Sequence, residues 1–310
     1  MSSSVHMENS VGEYTGESRL SWSRTVPREL VHRRSAAEVL LTDVRPGRQK
    51  DVFDVAASWP RSHPTFPRDG ADLHSPLIVI ETMRQLGIYL PLCHYAVPPE
   101  SRPLITDLFF RIDPATEPRA TSNSTDVTCR AHVTGIRKGA DGTATGLRME
   151  ISFRADSGMF AQAGGGARFL GPEQYAAIRG AAATALPPAP TGPCDRPDLG
   201  RIAVADPRDV MIAVDDGTVR LRPADSRHPF FFDHPSDHVP GMVLLEAARQ
   251  AGALASGGRR ARPTAGRLKA LSFAEFAPPA RVLAVPHHRT CGFRVRQGGR
   301  YVAYGALEYR

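Results

Sequence analysis

Residues 232–250 read FDHPSDHVPGMVLLEAARQ, a segment rich in proline and histidine that leads directly into an apolar run. Pro240 and Gly241 mark the change, because proline is favoured at the first position of a helix, where no N–H is needed. The apolar residues that follow fall on every side of a helix, which indicates a helix buried nearly all round. Three polar residues interrupt this apolar run: Glu246, Arg249 and Gln250.

The same pattern occurs about 165 residues earlier, a spacing typical of a duplicated domain rather than of a short repeat. His63-Pro64-Thr65-Phe66 corresponds to His228-Pro229-Phe230-Phe231, and Asp72 corresponds to Asp237. Glu81, Arg84 and Gln85 correspond to the three polar residues of the later run. A second helix is therefore predicted after Ser75-Pro76, with Ser75 as its N-cap. The shared polar residues are the first place to look for function.

The chain has 310 residues, of which 41% are hydrophobic and 23% charged, as expected for two soluble globular domains. It contains no apolar run of about 20 residues, so no membrane span is predicted. Residues 1–24 lack the pattern of a signal peptide and are predicted to be a disordered tail of a cytoplasmic protein. The four cysteines are too far apart for a metal site and are predicted to be reduced.

The net charge of +7 comes almost entirely from arginine. A basic surface attracts nucleic acid, phosphorylated substrates or acidic carrier proteins. The arginines are scattered, and no nucleic-acid-binding motif accompanies them. Neither nucleic acid nor a membrane is therefore predicted as a partner.

An Ala-, Pro- and Gly-rich stretch, residues 176–198, is predicted to link a first domain (25–175) to a second (199–310). Each domain has two short strands before its helix and a run of strands after it. The first strands are placed at Val39–Leu41 with Val52–Val55, and at Ile202–Val204 with Val219–Leu221. The later strands are placed at 108–112, 126–136, 147–153, 159–170, 271–276, 291–296 and 301–309, with hairpin loops at Asp141-Gly142 and Gly298-Gly299. One helix followed by antiparallel strands is an α+β arrangement.

The polar residues of each helix allow two interpretations. A buried carboxylate must be paired, protonated or used chemically, because removing its charge from water costs several kcal/mol. Glu246 shares a helix face with Arg249 and Gln250, so an internal ion pair with a hydrogen bond between the two halves is one interpretation. The other is a general base or acid beside a cationic group that binds an oxyanion or phosphate. The backbone amide near Gly241 adds a donor that a substrate carbonyl can approach closely.

The stretch Pro240-Gly241 followed by Glu246-Ala247 resembles the Pro-Gly-x-x-x-x-Glu-Ala motif of β-hydroxyacyl-carrier-protein dehydratases. The resemblance implies the hot-dog fold, in which a sheet wraps a long helix, and here two such domains in tandem that form a pseudo-dimer within one chain. The catalytic histidine of those dehydratases lies eight residues before the proline. Phe232 occupies that position here, which argues against dehydration chemistry.

The longer string Asp233-His234-Pro235 … Asp237-His238-Val239-Pro240-Gly241-Met242, together with the duplicated Glu-x-x-Arg-Gln, resembles the A-factor synthase family of γ-butyrolactone signal biosynthesis. That resemblance covers nearly the whole chain outside the tail and linker. It implies transfer of a β-ketoacyl group from an acyl carrier protein to a hydroxyl of dihydroxyacetone phosphate, without a cofactor. The ester would then condense towards a butyrolactone, butenolide or furan signal.

Under this resemblance Glu246 would deprotonate the hydroxyl, Arg249 would hold the phosphate or oxyanion, and the amide of Gly241 would polarise the thioester. Glu81 would be the catalytic counterpart in the first half. The substrate-binding residues would be Arg84, Gln85, Gln250, His238, Asp237 and His234, with no metal. His63 and His228 are predicted to have a turn or packing role.

The first half has Leu73-His74-Ser75-Pro76 where the second has His238-Val239-Pro240-Gly241, so one active centre, mainly from the second half, is expected. A hot-dog thioesterase or dehydratase, and a non-catalytic binder of acyl chains or butyrolactones, are the alternatives. Since the fused domains supply a pairing that single-domain relatives obtain by dimerising, both a monomer and a homodimer are compatible with the sequence.

Overall fold

The computed structural model describes residues 19–61, 72–120, 124–184 and 194–310. The first half consists of strands β1 (Leu41–Pro46) and β2 (Val52–Trp59), helix α1 (Leu77–His94), and strands β3 (Arg102–Ile112), β4 (Thr125–Lys138), β5 (Ala144–Ala155) and β6 (Gly158–Leu170). Helices α2 (Pro172–Arg179) and α3 (Leu199–Ile202) follow. The second half consists of strands β7 (Ile212–Asp215) and β8 (Thr218–Leu221), helix α4 (Gly241–Ala255), and strands β9 (Ala265–Ala270), β10 (Arg281–His287), β11 (Thr290–Gln297) and β12 (Arg300–Glu308).

The twelve strands of the described residues form one antiparallel sheet in the order β1-β2-β4-β5-β6-β3-β9-β12-β11-β10-β8-β7. The order in the second half is that of the first half reversed, so the two halves are related by pseudo-twofold symmetry. The joint is the pairing of β3 with β9, in which Leu108 lies opposite Leu268. The pseudo-dimer predicted from the repeat is thus a single continuous sheet.

Each half wraps its sheet around one helix, as the all-round apolarity predicted. In α1 the side chains of Ile80, Leu86 and Leu90 are at most 1% exposed. In α4 small residues allow close packing against the sheet: a Cβ at Gly252 would lie 3.1 Å from Cys291 Sγ. Helix α4 begins at Gly241 with Pro240 as its N-cap, one residue from the predicted position of the proline. No helix in the described part of the chain has the length and apolarity to cross a membrane.

The hairpin loops at Asp141-Gly142 and Gly298-Gly299 are confirmed, but two strand predictions in the second half are wrong. Instead, Ile202 is the last residue of helix α3, whose first turn is capped by Asp198, and Ala203 follows as the C-cap in a left-handed conformation. The first strand is β7, ten residues later. Residues 271–276 follow strand β9 rather than forming a strand, and neither β9 nor β10 was predicted. In the first half, the strand placed at Val39–Leu41 begins only at Leu41 and continues to Pro46.

The predicted domain boundaries cut through packed structure at two points. Trp22 lies in the predicted tail, yet its indole N–H donates to the Ala57 carbonyl over 3.2 Å. Helix α2 extends across the predicted boundary at residue 175 into the predicted linker. Residues 1–18 of the tail, the His63–Phe66 motif and linker residues 185–193 lie outside the described residues. The division into domains stays a prediction.

Glycine is required where a neighbouring strand leaves no room for a side chain. A Cβ at Gly305 of β12 would overlap the Arg267 carbonyl oxygen and the Phe293 ring, whereas a Cβ at Gly292 of β11 would meet no atom within 4 Å. We expect Gly305→Ala to lower the free energy of unfolding by at least about 2 kcal/mol and Gly292→Ala to change it by less than about 0.5 kcal/mol. Urea denaturation of both variants measures the difference, and equal stabilities would contradict this packing.

Candidate functional site

The three polar residues of helix α4, here called the second polar triad (Glu246, Arg249 and Gln250), bind one another. Glu246 is 1% exposed. Its Oε1 accepts hydrogen bonds from Arg249 Nη2 over 2.7 Å and from Gln250 Nε2 over 2.8 Å, and Arg249 Nε donates to Oε2 over 2.9 Å. Both carboxylate oxygens are therefore occupied by groups of the same helix.

The second polar triad also holds the chain that leads into the sheet. Gln250 Oε1 accepts the N–H of Met211 over 2.8 Å, and its Nε2 donates to the carbonyl of Asp209 over 2.8 Å. Arg249 Nη1 donates to the carbonyls of Ile202 (3.1 Å) and Ala261 (2.9 Å). Every nitrogen of the guanidinium has an acceptor. Glu246 and Arg249 thus face each other in a closed core.

The first polar triad (Glu81, Arg84 and Gln85) repeats these contacts on helix α1. Arg84 Nη2 and Gln85 Nε2 donate to Glu81 Oε1 over 2.8 and 2.7 Å. Gln85 Oε1 accepts the N–H of Leu40 over 2.9 Å, and its Nε2 donates to the Glu38 carbonyl over 2.7 Å. Each triad therefore forms the internal ion pair that the sequence predicted. The prediction placed a hydrogen bond between the two halves, whereas the hydrogen bonds of the triads join each helix to its own half.

Arg33 distinguishes the first triad from the second. It follows a short helix, Arg28–Val31, that corresponds to α3 of the second half, and Val204 occupies the equivalent position after α3. Arg33 Nη2 lies 2.8 Å from Glu81 Oε1, and its Nη1 donates to the Phe230 carbonyl of the second half over 2.8 Å. Burial alone would raise the pKa of Glu81, but the charges of Arg33 and Arg84 lower that pKa to about 2. The first triad is therefore a fully ionised cluster that also ties the two halves together.

His234 belongs to this cluster rather than to the start of α4. Burial, with the charges of Arg84 and Arg33, lowers the pKa of His234 to about 3. Its Nδ1 is buried and has no hydrogen-bond partner within the described ranges. His228 has the predicted turn role, since its Nδ1 accepts the N–H of Phe230 over 3.2 Å while Nε2 donates to Asp209 over 2.8 Å.

Asp237 and His238 form a hydrogen-bonded pair directly before helix α4. His238 Nδ1 lies 2.7 Å from Asp237 Oδ1. A carboxylate only accepts, so Nδ1 carries the proton and Nε2 has a free lone pair. Nε2 has no protein partner among the residues that the structure describes, and 26% of the side chain is exposed. Burial lowers the pKa of His238 despite Asp237, so the imidazole is neutral at pH 7.

Asp237 is held by two residues of helix α2 that the sequence analysis did not identify. The Tyr175 hydroxyl donates to its two oxygens over 2.6 and 2.8 Å, and Arg179 Nε donates to Oδ2 over 3.0 Å. Both residues lie at or beyond the end of the predicted first domain, in a stretch that resembles a linker. No sequence motif connects them with Asp237.

The amino end of α4 is open where that of α1 is closed. The N-cap of α1 is Pro76 rather than the predicted Ser75. Ser75 nevertheless accepts the N–H of Leu77 through Oγ over 3.3 Å and the N–H of Ile78 through its carbonyl over 3.0 Å. Pro240 offers no side-chain cap to α4, although its carbonyl accepts the N–H groups of Val243 and Leu244 over 3.0 and 3.2 Å. The N–H groups of Gly241 and Met242 have no hydrogen-bond partner among the described residues. A Cβ on Gly241 would contact only Ile105 of β3, at 3.8 Å. Gly241 therefore lies where the two halves meet.

The open amides and the free Nε2 of His238 together provide a hydrogen-bond donor for a developing oxyanion and a general base. The first half has Leu73 at the position of His238. Of the predicted site residues, Asp237 and His238 thus contact each other shortly before Gly241, where helix α4 begins. Each polar triad binds backbone groups of its own half, and His234 belongs to the cluster around Arg33 and Arg84.

The two triads should differ in their effect on stability. Glu81→Gln leaves Arg33 and Arg84 buried without their carboxylate, so we expect a loss of about 3–5 kcal/mol in the free energy of unfolding. Glu246→Gln should cost less, because it deprives one arginine of its carboxylate rather than two, and Arg249 keeps its backbone acceptors. A carboxyl with a lowered pKa stabilises the fold above about pH 4.5 and ceases to do so as the pH falls towards about 2. As the pH falls from about 4.5 towards 2, the free energy of unfolding of the wild type should therefore decrease more steeply than that of Glu81→Gln. Denaturant titrations from pH 7 to 3 test both points.

Comparison with known proteins agrees with this architecture. The family model described as A-factor biosynthesis hotdog domain (AfsA) matches residues 16–170 and 206–276. Proteins named 2-oxo-3-(phosphooxy)propyl 3-oxoalkanoate synthase are similar over most of their length. The Streptomyces virginiae protein is 33% identical to this chain, and the match covers 84% of this chain and 87% of that protein. The Streptomyces griseus protein is also 33% identical, and the match covers 83% of this chain and 84% of that protein.

Among solved structures, an acyl-ACP thioesterase from Bacteroides thetaiotaomicron superposes with a TM-score of 0.51 at 9% identity, covering 86% of this chain and 100% of that one. At this identity the likeness concerns the fold alone, and it agrees with the predicted tandem hot-dog arrangement. The chain belongs to the AfsA family of A-factor biosynthesis hotdog domain proteins.

Proposed function

We propose that this protein is an acyltransferase that forms a 2-oxo-3-(phosphooxy)propyl 3-oxoalkanoate, the product in the names of its relatives. The 3-oxoacyl group would come from a thioester and the alcohol from dihydroxyacetone phosphate. One observation carries the proposal: a neutral His238 with a free Nε2 lies directly before the open amino end of helix α4. Ester formation from a thioester needs this combination of base and oxyanion donors.

In the proposed reaction, Nε2 of His238 accepts the proton of the acceptor hydroxyl while its oxygen attacks the thioester carbonyl. The amides at Gly241 and Met242 stabilise the negative charge on the carbonyl oxygen of the tetrahedral intermediate. The intermediate collapses by breaking the carbon–sulfur bond, and the imidazolium returns its proton to the departing thiolate. Asp237 stabilises the imidazolium between these two steps.

The assignment of Glu246 as base and Arg249 as phosphate or oxyanion ligand, made from the sequence, stays a prediction. Their geometry supports a structural role instead, because Glu246 is 1% exposed and every nitrogen of Arg249 already has an acceptor. We therefore assign the chemistry to His238 and the positioning of helix α4 to the second polar triad. Comparing variants of the two residues separates these assignments.

Arg102 is the arginine that we propose for the phosphate. It lies at the start of β3, the strand that carries Ile105 opposite Gly241. Its guanidinium lies 5.8 Å from the centre of the Tyr175 ring. No carboxylate pairs with it within the described parts of the chain, so its charge is available to a dianionic phosphate.

We further propose that the donor is an acyl carrier protein in the cytoplasm. Carrier proteins are acidic, and this chain has a net charge of +7. The ester would condense towards a butyrolactone, butenolide or furan in the signalling pathway of the family. Since the β3–β9 joint supplies the paired arrangement within one chain, we propose a monomer as the active species, with a homodimer as the alternative.

The deciding experiment combines the purified chain with a β-ketoacyl carrier protein and dihydroxyacetone phosphate and identifies the products by mass spectrometry. We expect the phosphorylated ester and free carrier thiol. His238→Asn places an amide N–H where Nδ1 lies and removes Nε2, so we expect ester formation to fall roughly 100- to 10,000-fold without a change in melting temperature.

Other outcomes would contradict the proposal. Free 3-oxo acid without ester would identify a thioesterase, and tight binding without turnover would identify a binding protein. A folded Glu246→Gln protein that is inactive, combined with a fully active His238→Asn, would make Glu246 the base.

The role of Arg102 can be tested with two acceptors, dihydroxyacetone phosphate and dihydroxyacetone. Loss of a charged hydrogen bond costs about 1.5–3 kcal/mol, so Arg102→Ala should raise KM for the phosphorylated acceptor roughly 10- to 100-fold. KM for the other acceptor should not change. Arg111→Ala, on an exposed position of the same strand, is the control. Equal effects on both acceptors would exclude a phosphate contact.

A further inference from the structure

Helix α2 lies between the two halves of the chain, outside both segments matched by the family model. It follows β6 directly and ends at Arg179. Although its surroundings in sequence resemble a linker, Arg179 is only 7% exposed. An arginine this deeply buried must have specific partners, because an unpaired buried charge is costly.

The partners of helix α2 converge on Asp237. The carboxylate accepts from the Tyr175 hydroxyl, from Arg179 Nε and from His238 Nδ1. Arg179 Nη2 also donates to the backbone carbonyl of Asp237 over 2.8 Å. Side chain and backbone of Asp237 are thus fixed from one helix, which leaves the carboxylate a single orientation towards His238.

Arg179 also shapes the wall beside the imidazole. Its Nη1 and Nη2 donate to the Glu275 carboxylate over 2.5 and 2.9 Å. Its guanidinium lies 4.3 Å from the centre of the Phe273 ring, against which the His238 ring packs edge-on at 4.8 Å. Arg179 therefore contacts both Asp237, which accepts the hydrogen bond of His238, and Phe273, against which the imidazole packs.

We propose that Tyr175 and Arg179 are positioning residues that orient Asp237 and thereby hold His238 in its base-competent orientation. This inference rests on the proposed function. It makes the helix between the two halves a part of the active site, with one side chain at the end of the predicted first domain and the other in the predicted linker.

Charge gives this arrangement a measurable signature. Burial lowers the pKa of His238 most, and Arg179 lowers it further, while Asp237 and Glu275 raise it. Removing Arg179 removes a cation and leaves both carboxylates without their partner, so the pKa of His238 must rise. Because only the neutral imidazole accepts a proton, the acid limb of the activity profile should then move to higher pH.

The test measures kcat and KM of the full chain between pH 5 and 9 for three variants, Arg179→Gln, Arg179→Lys and Tyr175→Phe. We expect Arg179→Gln to lower kcat roughly 10- to 100-fold with little change in KM, and to shift the acid limb upwards. Arg179→Lys keeps the charge without the forked geometry, so kcat should fall while the acid limb returns towards its wild-type position. Tyr175→Phe should lower kcat roughly 3- to 30-fold.

Two matched controls repeat the same chemistry at carboxylates that do not contact His238. Tyr95→Phe removes a hydroxyl that donates to Asp51 over 2.9 Å, and Arg148→Gln removes a partner of Asp107 at 2.7 Å. Both should leave kcat and the pH profile unchanged. Melting temperatures of all variants separate loss of activity from loss of fold.

Wild-type kcat and pH profiles in folded Arg179→Gln and Tyr175→Phe proteins would overturn the inference. So would an equal fall at every pH in Arg179→Gln and Arg179→Lys, since that is the signature of a purely structural residue. If His238→Asn keeps full activity, the proposed function itself is wrong about the base, whatever the variants of helix α2 show.

Discussion

The fold depends on one glutamine side-chain amide in each half. This amide takes the place of a backbone segment as the hydrogen-bond partner of the main chain. Gln85 and Gln250 each accept one backbone N–H and donate to one carbonyl of the segment entering the sheet. The amide can do this from inside the core only because a glutamate one turn earlier orients it, and that glutamate needs an arginine to be tolerated there. This arrangement fixes each helix against the segment that enters the sheet around it.

Much of the architecture could be predicted from residue patterns. The start of α4 at Pro240-Gly241 and the hairpin loops are local features in which propensity and structure agree. The repeat also predicted the pseudo-dimer. The first strand of the second half was predicted at Ile202–Val204, because isoleucine and valine favour strands. The side chain of Asp198 caps a helix there instead, and the strand follows at β7.

The candidate site could be predicted only in part, because its decisive contacts join distant residues. Asp237, His238 and Gly241 stand out in sequence, and the structure keeps them together. Tyr175 and Arg179 bind Asp237 across about 60 residues in a stretch without a motif, and no periodicity reveals such a pairing. The glutamates of the two triads were assigned to chemistry because buried charge is common to active sites and to structural ion pairs.

The β3–β9 joint has a consequence for dilute solutions. The proposed site takes Arg102 and Ile105 from one half and His238 from the other, so it is complete only while the halves are in contact. Two separate subunits with such a shared site would lose activity as their concentration fell below the dissociation constant. When the two halves belong to one chain, the effective concentration of each half at the other is set by their connection and does not change on dilution. An enzyme built in this way works at a rate per molecule that does not depend on its concentration.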